Sequence, residues 1–332
     1  MITRRSTISR QRTVTIKSNP YSDIVWDDAE NLIYTMFGNF HSHIVAEDPA
    51  DVAAAYLAAE YTFLALTDHD SNGAYPATDG MVLPAGIEMC ANHGHIDGLF
   101  TAAEPVTGSE ETVCLDAVAL DGGIAVFAHP QYNFTYGGAP RSHWWPLFLV
   151  YSGLIGLDIF NSSVEDSDPG FGALDRLNWD DILRRISMKR NVYGSSVTDS
   201  HDLSWIGTAG IGVLLAPVEA TEAGVKAALI AGHFVAYRGT ISDDLPRVLE
   251  VIHDATNGIL TVRIISMTAG TVQWITGGSS IVKQDVLPAD VTLFSLHYNE
   301  QHMAERLNSY VRLEATNDLG TMYTQPFLLN CK

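Results

Sequence analysis

Six histidines and three carboxylates stand at or just past the ends of apolar runs between residues 41 and 201. They fall into five short groups: His41-Ser42-His43 followed by Glu47-Asp48, Thr67-Asp68-His69-Asp70, Gly86-Ile87-Glu88 with His95, Ala128-His129-Pro130, and Thr198-Asp199-Ser200-His201. Imidazole nitrogen and carboxylate oxygen are the donors that borderline and hard divalent ions take. One such pair at a strand end is commonplace. Five in series supply more donors than one ion needs, and the chemistry they point to is metal-assisted hydrolysis, in which water becomes a nucleophile at neutral pH.

Residues this far apart in sequence meet only if a fold brings strand ends together. Short β-branched and aromatic runs at 33–40, 62–66, 81–84, 124–127, 154–160, 192–197 and 233–237 read as strands, several apolar on both faces as buried parallel strands are. Helix signals lie between them. Pro49 suits the first position of a helix over 50–60, with Asp48 able to cap it. Thr107-Gly108-Ser109-Glu110 resembles a capping box ahead of a helix ending near Gly122. Asn178 is placed to cap a helix over 179–190, and Glu222 to Ala231 forms another, closed by Gly232. Alternating strands and helices imply right-handed crossovers and a barrel of seven strands, whose carboxyl ends converge on one face.

The texture changes near Ser242. Runs at 248–252, 260–265, 271–276, 291–298, 310–316 and 322–329 alternate apolar and polar, with turn signals at Asn257-Gly258 and Asn317-Asp318-Leu319-Gly320. The expectation is an N-terminal arm over 1–30 with a turn at Asn19-Pro20-Tyr21, a barrel over 31–242, and a small antiparallel β-sandwich over 243–332.

Composition narrows the class. A chain of 332 residues, 46% apolar, is long enough for a large core. No apolar run approaches the roughly 18 residues of a membrane span. Arg4, Arg5, Arg10 and Arg12 lie among Ser and Thr, which reads as a short basic arm. The net charge of −20 argues against a long nucleic-acid polymer as partner, although bound divalent ions would invert the sign inside a cleft. Cys90, Cys114 and Cys331 form no CxxC pair, which fits reduced thiols in a cytoplasm. Cys90, two residues after Glu88, reads first as a small buried residue and second as part of the site wall.

At these motifs the chain resembles the PHP (polymerase and histidinol phosphatase) superfamily, over roughly residues 19–240. The matching pieces are His41-Ser42-His43, Thr67-Asp68-His69, Gly86-Ile87-Glu88 with His95 and His129, and Asp199-Ser200-His201. The stretch 310–327 is similar to the last strands of members carrying a C-terminal β domain. The resemblance implies a distorted (β/α)7, TIM-like barrel followed by that domain. It also implies two to three divalent ions, Mn, Fe or Zn. His41, His43, Glu88 and Asp199 would hold the first; bridging Glu88 with His95 and His129 the second; Asp48, His69 and His201 the third.

The implied activity is hydrolysis of a phosphate mono- or diester on a small molecule, through a hydroxide between the first two ions with the third binding phosphate. Glu88, Asp68 and His201 are the catalytic candidates, with Asp68 or Asp70 orienting a ligand histidine. Arg141, His143 and Arg238 are candidate phosphate contacts, alongside Asp70 at the substrate side. An amidohydrolase-type hydrolase also begins with HxH on a barrel strand, but commonly needs a Lys or His at the fourth strand and a lone final Asp. No Lys lies near His129, and the last motif is DxH. A metal-stabilised binding or assembly module is the reading from a different class.

Overall fold

The computed structural model describes residues 12–26, 33–44, 48–72, 75, 77–106, 108–138 and 140–332. Glu47, Thr107 and the arginines of the first eleven residues lie outside the described residues.

The elements run β1 (Val14–Ser18), β2 (Tyr34–Asn39), α1 (Pro49–Ala58), β3 (Phe63–Leu64), β4 (Gly86–Ala91), β5 (Gly94–Leu99), α2 (Glu111–Leu120), β6 (Ile124–Phe127), α3 (Pro130–Tyr136) and α4 (Trp144–Val150). There follow β7 (Leu154–Asn161), α5 (Ser162–Ser167), α6 (Phe171–Ile186), β8 (Tyr193–Val197), β9 (Ala209–Leu215), α7 (Glu222–Ala231) and β10 (Phe234–Gly239). The last part holds β11 (Arg247–Asp254), β12 (Ile259–Ile265), β13 (Gly270–Thr276), β14 (Ser280–Leu287), β15 (Val291–His297), α8 (Gln301–Ala304), β16 (Tyr310–Thr316), β17 (Gly320–Thr324) and β18 (Phe327–Cys331). No described helix is long and apolar enough to cross a membrane.

The ladders form three sheets. One has the order β1-β18-β16-β17-β10-β9-β2-β3, with β13 on β16 and β14 on β13; a second is β4-β5-β6-β7-β8; a third is β11-β12-β15. Between named strands of the described residues, parallel pairing is confined to β2–β3, β6–β7 and β7–β8. The β4–β5 hairpin and strand β9 were not foreseen, and residues 81–84 make isolated bridges rather than a strand. Apolar runs alone do not fix strand direction, so a run such as 209–215 passes for a buried segment of any kind. Among the described residues the ladders close no single barrel sheet. The longest sheet is also continuous across residue 242, since β10 pairs β17 from Val235–Thr324 to Gly239–Gly320.

Helix starts agree with the local chemistry at two of four expected places. Asp48 Oδ1 accepts from Ala50 N at 2.9 Å with Pro49 next, and Gly232 closes α7 at φ 81°. The other two differ. Glu110 precedes α2 without a side-chain cap bond, and α6 begins at Phe171, so Asn178 is buried mid-helix and donates to Gln131 Oε1 at 3.3 Å. Gly170, at φ 101°, starts α6 with its N–H and that of Gly172 both given to Glu165 Oε2, a cap made by a side chain five residues upstream.

One buried ion pair joins the C-terminal strands to the helix behind β7. Arg312 on β16 donates from Nε and Nη2 to the two oxygens of Asp180 on α6 at 2.9 and 2.8 Å, and from Nη1 to Glu314 at 2.6 Å. Tyr310 adds a fourth bond at 2.7 Å. Burial works to raise the Asp180 pKa, but the Arg312 charge overcomes it and holds it below the usual range. Breaking a buried pair strands the remaining charges, so Arg312→Ala is expected to destabilise the chain by about 3–5 kcal/mol in urea unfolding. Arg247→Ala, which removes the exposed pair with Asp243, is expected to cost under about 1 kcal/mol.

Candidate metal centre

The five sequence groups meet because backbone bonds join each strand end to the next. Ser42 and Ser200 form a parallel bridge, in which His43 N donates to Ser200 O and Asp199 N to His41 O, both at 2.9 Å. Thr67 N donates to Ser42 O at 2.8 Å, and His69 bridges Glu88. From Glu88 the ring runs through registered pairs: Glu88–Asp97, Ile96–Phe127, Phe127–Leu157 and Asn161–Val197. Asn39 locks the closure. Its amide donates to His41 O at 2.9 Å and Thr198 Oγ1 at 3.0 Å, and accepts from Thr198 N at 3.0 Å.

Two ligand-bearing residues leave their strands in left-handed backbone, His129 at φ 26° and Asp199 at φ 49°. Such conformations cost about 1–3 kcal/mol each for a non-glycine residue and persist only where neighbours hold them. Here Asp158 Oδ2 accepts the His129 N–H at 3.1 Å, and His41 O accepts that of Asp199.

Glu88 is fully buried and turns its two oxygens to different histidines. Oε2 lies 3.3 Å from His41 Nε2, 3.3 Å from His43 Nε2 and 3.0 Å from His69 Nδ1. Oε1 lies 2.6 Å from His95 Nδ1 and 3.0 Å from His129 Nε2. Asp199 Oδ1 faces His41 and His43 at 3.4 and 3.0 Å and His201 at 3.5 Å, while its Oδ2 accepts from Asn161. His43 stacks between His69 and His201, ring centroids 4.6 and 4.1 Å away.

These donors fit divalent ions. Both ring nitrogens of His41 and His43, Glu88 Oε2 and Asp199 Oδ1 are buried without a hydrogen-bond partner. An orphaned buried polar atom costs about 1–3 kcal/mol, and here four of them, His41 Nε2, His43 Nε2, Glu88 Oε2 and Asp199 Oδ1, face one another across shared space. Three-donor groups with all atoms within 4.8 Å include His41-His43-Asp199, His41-Glu88-His129 and His43-His69-His201.

Asp48, expected with His69 and His201, instead caps α1 from an exposed position, and His43 joins those two histidines. Asp68 accepts from Ile44 N and Tyr75 OH, each at 2.6 Å, so it ties Ile44 to Tyr75. Asp70 accepts from Cys90 N at 3.1 Å. Arg141 donates to Gln131 at 3.3 Å, Arg238 lies 3.5 Å from Glu165, and His143 turns to Glu111. None of these three lines the cleft of about 220 Å³ bounded by His69, His95, His129, Tyr132, Ser163, Asp199 and His201. A larger hollow of about 450 Å³, beside His233 and Val218, shares no residue with it. Trp144 is core, stacked on Phe127.

Three participants carried no signal of their own. Asp97 Oδ2 lies 3.1 Å from His41 Nδ1, which turns Nε2 to the cluster. Asp158 supports His129, and Asn161 supports Asp199. The GHID spacing gives the one clue, since Asp97 shares the inward face of β5 with His95 by alternation. Cys90 Sγ is 3.3 Å from His69 Nδ1, which adds sulfur to donors otherwise nitrogen and oxygen. Its thiol is pushed up to about 12 by burial and by the Glu88 and Asp70 charges.

Burial lowers the His41 pKa, but Asp199, Asp97 and Glu88 outweigh it and raise it well above the ordinary value; His43, likewise opposed by burial, rises to about 9 through Asp199 and Glu88. Burial would raise Glu88 and Asp199, yet His41 and its neighbours hold both far below. Burial lifts Asp97 to about 7. Without an ion His41 and His43 are therefore pushed toward the protonated form beside these carboxylates, and an ion must displace protons from them to enter.

No protein-family model matches the chain, and no curated protein matches it. Among solved structures it is similar to an amidohydrolase from Chromobacterium violaceum with bound sulfate and no metal, at 18% identity over 49% of this chain and 87% of that one, with a TM-score of 0.36.

A raised histidine pKa gives stability that is complete below the unfolded value of 6.5 and is lost as pH climbs through the folded value, about 9 for His43. The melting temperature of chelator-treated protein is thus expected to fall between pH 6.5 and 9.5. Metal affinity should rise over the same interval, with proton release visible by calorimetry in two buffers; a pH-independent affinity would refute the protonated cluster. Asp97→Asn should weaken metal binding by about 10–100-fold, because it removes the charge that orients His41.

Proposed function

We propose that this chain is a metal-dependent hydrolase of phosphate esters, acting on a small phosphorylated molecule. The observation that carries the reading is Glu88. A buried carboxylate with one oxygen toward His41 and His43 and the other toward His95 and His129 is placed to bridge two ions. His41, His43 and Asp199 would complete one position, and His95 and His129 the other. His69 and His201, with His43 between them, would hold a third. Divalent Mn, Fe or Zn in these positions supplies a nucleophile from water and neutralises charge on phosphorus.

The chain's own groups supply the rest. Glu88 and Asp199 set the local negative charge that would retain cations, while His41, His129 and His43 hold the Glu88 carboxyl in its charged form against the cost of burial. Exposure rises from the buried His41 and Glu88 to His69 and His201, 45% and 37% exposed, so substrate enters past those two. Tyr132, 5.4 Å from the His129 ring, gives the leaving group an aromatic wall. The cleft volume of about 220 Å³ suits a phosphate and a small body. The barrel-with-sandwich organisation and the PHP affiliation belong to this same proposal, supported by the order of the motifs and by the ring of strand ends.

A second reading, amide or lactone hydrolysis, shares the histidines. That class commonly uses a lysine or a histidine at the fourth strand, and among the described residues lining the cleft there is no lysine; Lys17, Lys226 and Lys283 bond to Met188 O, Gly122 O and Ser295 O. The deciding experiment reloads stripped protein with Mn²⁺, Fe²⁺ or Zn²⁺ and compares aryl phosphate mono- and diesters with aryl amides and lactones. Phosphate-ester turnover is expected, reduced at least about 100-fold in Glu88→Gln. Amide or lactone turnover without phosphate-ester turnover would establish the second reading, and no turnover across a wide panel by metal-loaded protein would overturn both.

A further inference from the structure

A second group of metal-type donors lies on the outer turn of the β4–β5 hairpin, sharing no residue with the cluster. His93 sits in that turn, Glu111 is the first residue of α2, and His143 ends the short 3-10 turn at Arg141–His143. Glu111 Oε1 is 3.3 Å from His93 Nδ1, and Glu111 Oε2 is 2.9 Å from His143 Nε2. One donor from each residue lies within 4.8 Å of the other two.

We propose that His93, Glu111 and His143 form a separate zinc site that clips the hairpin to α2 and to the segment before α4. Two imidazoles and a carboxylate are a ligand set that Zn²⁺ takes, with water in the remaining position. Ligands about 2.0–2.1 Å from a tetrahedral ion are about 3.3 Å from one another, close to the separations here. The half-exposed rings of His93 and His143 leave the outer side open to that water.

Two further observations favour an ion over a plain hydrogen-bonded contact. Glu111 is 1% exposed, a carboxylate buried with its charge facing both rings. It accepts from His143 and from the His93 backbone N–H, yet His93 Nδ1, 3.3 Å from Glu111 Oε1, is buried with no hydrogen bond of acceptable geometry. An ion satisfies that nitrogen, and a hydrogen-bonded clamp does not. The approach is also built in. Gly94 follows His93, and a Cβ there would come within 2.7 Å of the Trp144 ring, so the missing side chain lets Trp144 seat and carries His143 to His93.

The hairpin that this site would fasten carries Glu88 on one strand and His95 on the other, so the clip would hold both at fixed spacing. It does not depend on the proposed reaction.

The test counts zinc per chain. Full-length protein, stripped with chelator, is reloaded with ZnCl₂, desalted and assayed by elemental analysis, as wild type, His143→Ala, His93→Asn and Glu88→Ala. His143→Ala and His93→Asn are each expected to lose one equivalent relative to wild type, and Glu88→Ala to lose ions from the cluster while keeping this one. Zinc should also raise the melting temperature of Glu88→Ala and fail to do so in Glu88→Ala with His143→Ala. Unchanged zinc content in whichever of the two histidine variants is folded by circular dichroism would overturn the proposal. A zinc-independent melting temperature in Glu88→Ala would do the same. If the cluster binds nothing, wild type still holds one equivalent that His143→Ala loses, which separates this site from the reading of the other.

Discussion

A carboxylate with no solvent exposure is the constraint around which this molecule is arranged. Withdrawing Glu88 from water costs several kcal/mol unless opposite charge is delivered to it. Five imidazoles from four separate chain segments stand within 3.3 Å of its two oxygens, and His41 and His43 among them are pushed toward the protonated form. Such convergence needs strand ends held in place to a fraction of an ångström, and the ring of backbone bonds from Ser200 through Ser42, His69, Glu88, Phe127 and Asn161 provides it. The left-handed turns at His129 and Asp199 are what this geometry demands of the chain, each held by a bond from the same ring.

The rest of the fold braces that ring. α6 lies against β7, whose end carries Asp158 and Asn161, and the Arg312–Asp180 pair fixes α6 from behind through β16. The C-terminal strands therefore do more than append a second layer. They extend the sheet that contains β2 and β9 and reach the helix supporting half of the site. Buried apolar residues from both sides of residue 242, Val235 and Tyr237 with Trp274 and Leu313 among them, belong to one core cluster.

Acidity on the surface and cation affinity within are consistent for the same reason. A chain of net charge −20 draws divalent ions toward it and repels polyanions. Within the cluster the balance is set by near neighbours, where imidazoles and carboxylates alternate at 2.6–3.5 Å. The β4–β5 hairpin contributes a histidine to each of two separate donor groups. His95 points along β5 to Glu88, and His93 points from the turn to Glu111.

Sequence alone picked out most of the donors that the fold brings together and roughly where strands end, because residues with metal-ligand character repeat after apolar runs. It also located the change of texture near residue 242 and most strands beyond it, though not β14, whose run from Ser280 to Leu287 carries too few apolar residues to stand out. Strand direction was beyond it, since an apolar run is equally good in a parallel or antiparallel ladder; hence the β4–β5 hairpin and β9 went unread. Partnership was beyond it too. Asp48 has the type and place of a ligand, yet it serves the orphan N–H of Ala50. Asp97 looks like any strand acid, yet it faces His41. His143 has the type of a phosphate contact, yet Gly94 and Trp144 carry it to Glu111. Residue type is written locally, but which donor faces which is a matter of distances across the tertiary structure, and those are set by packing between segments that sequence order does not reveal.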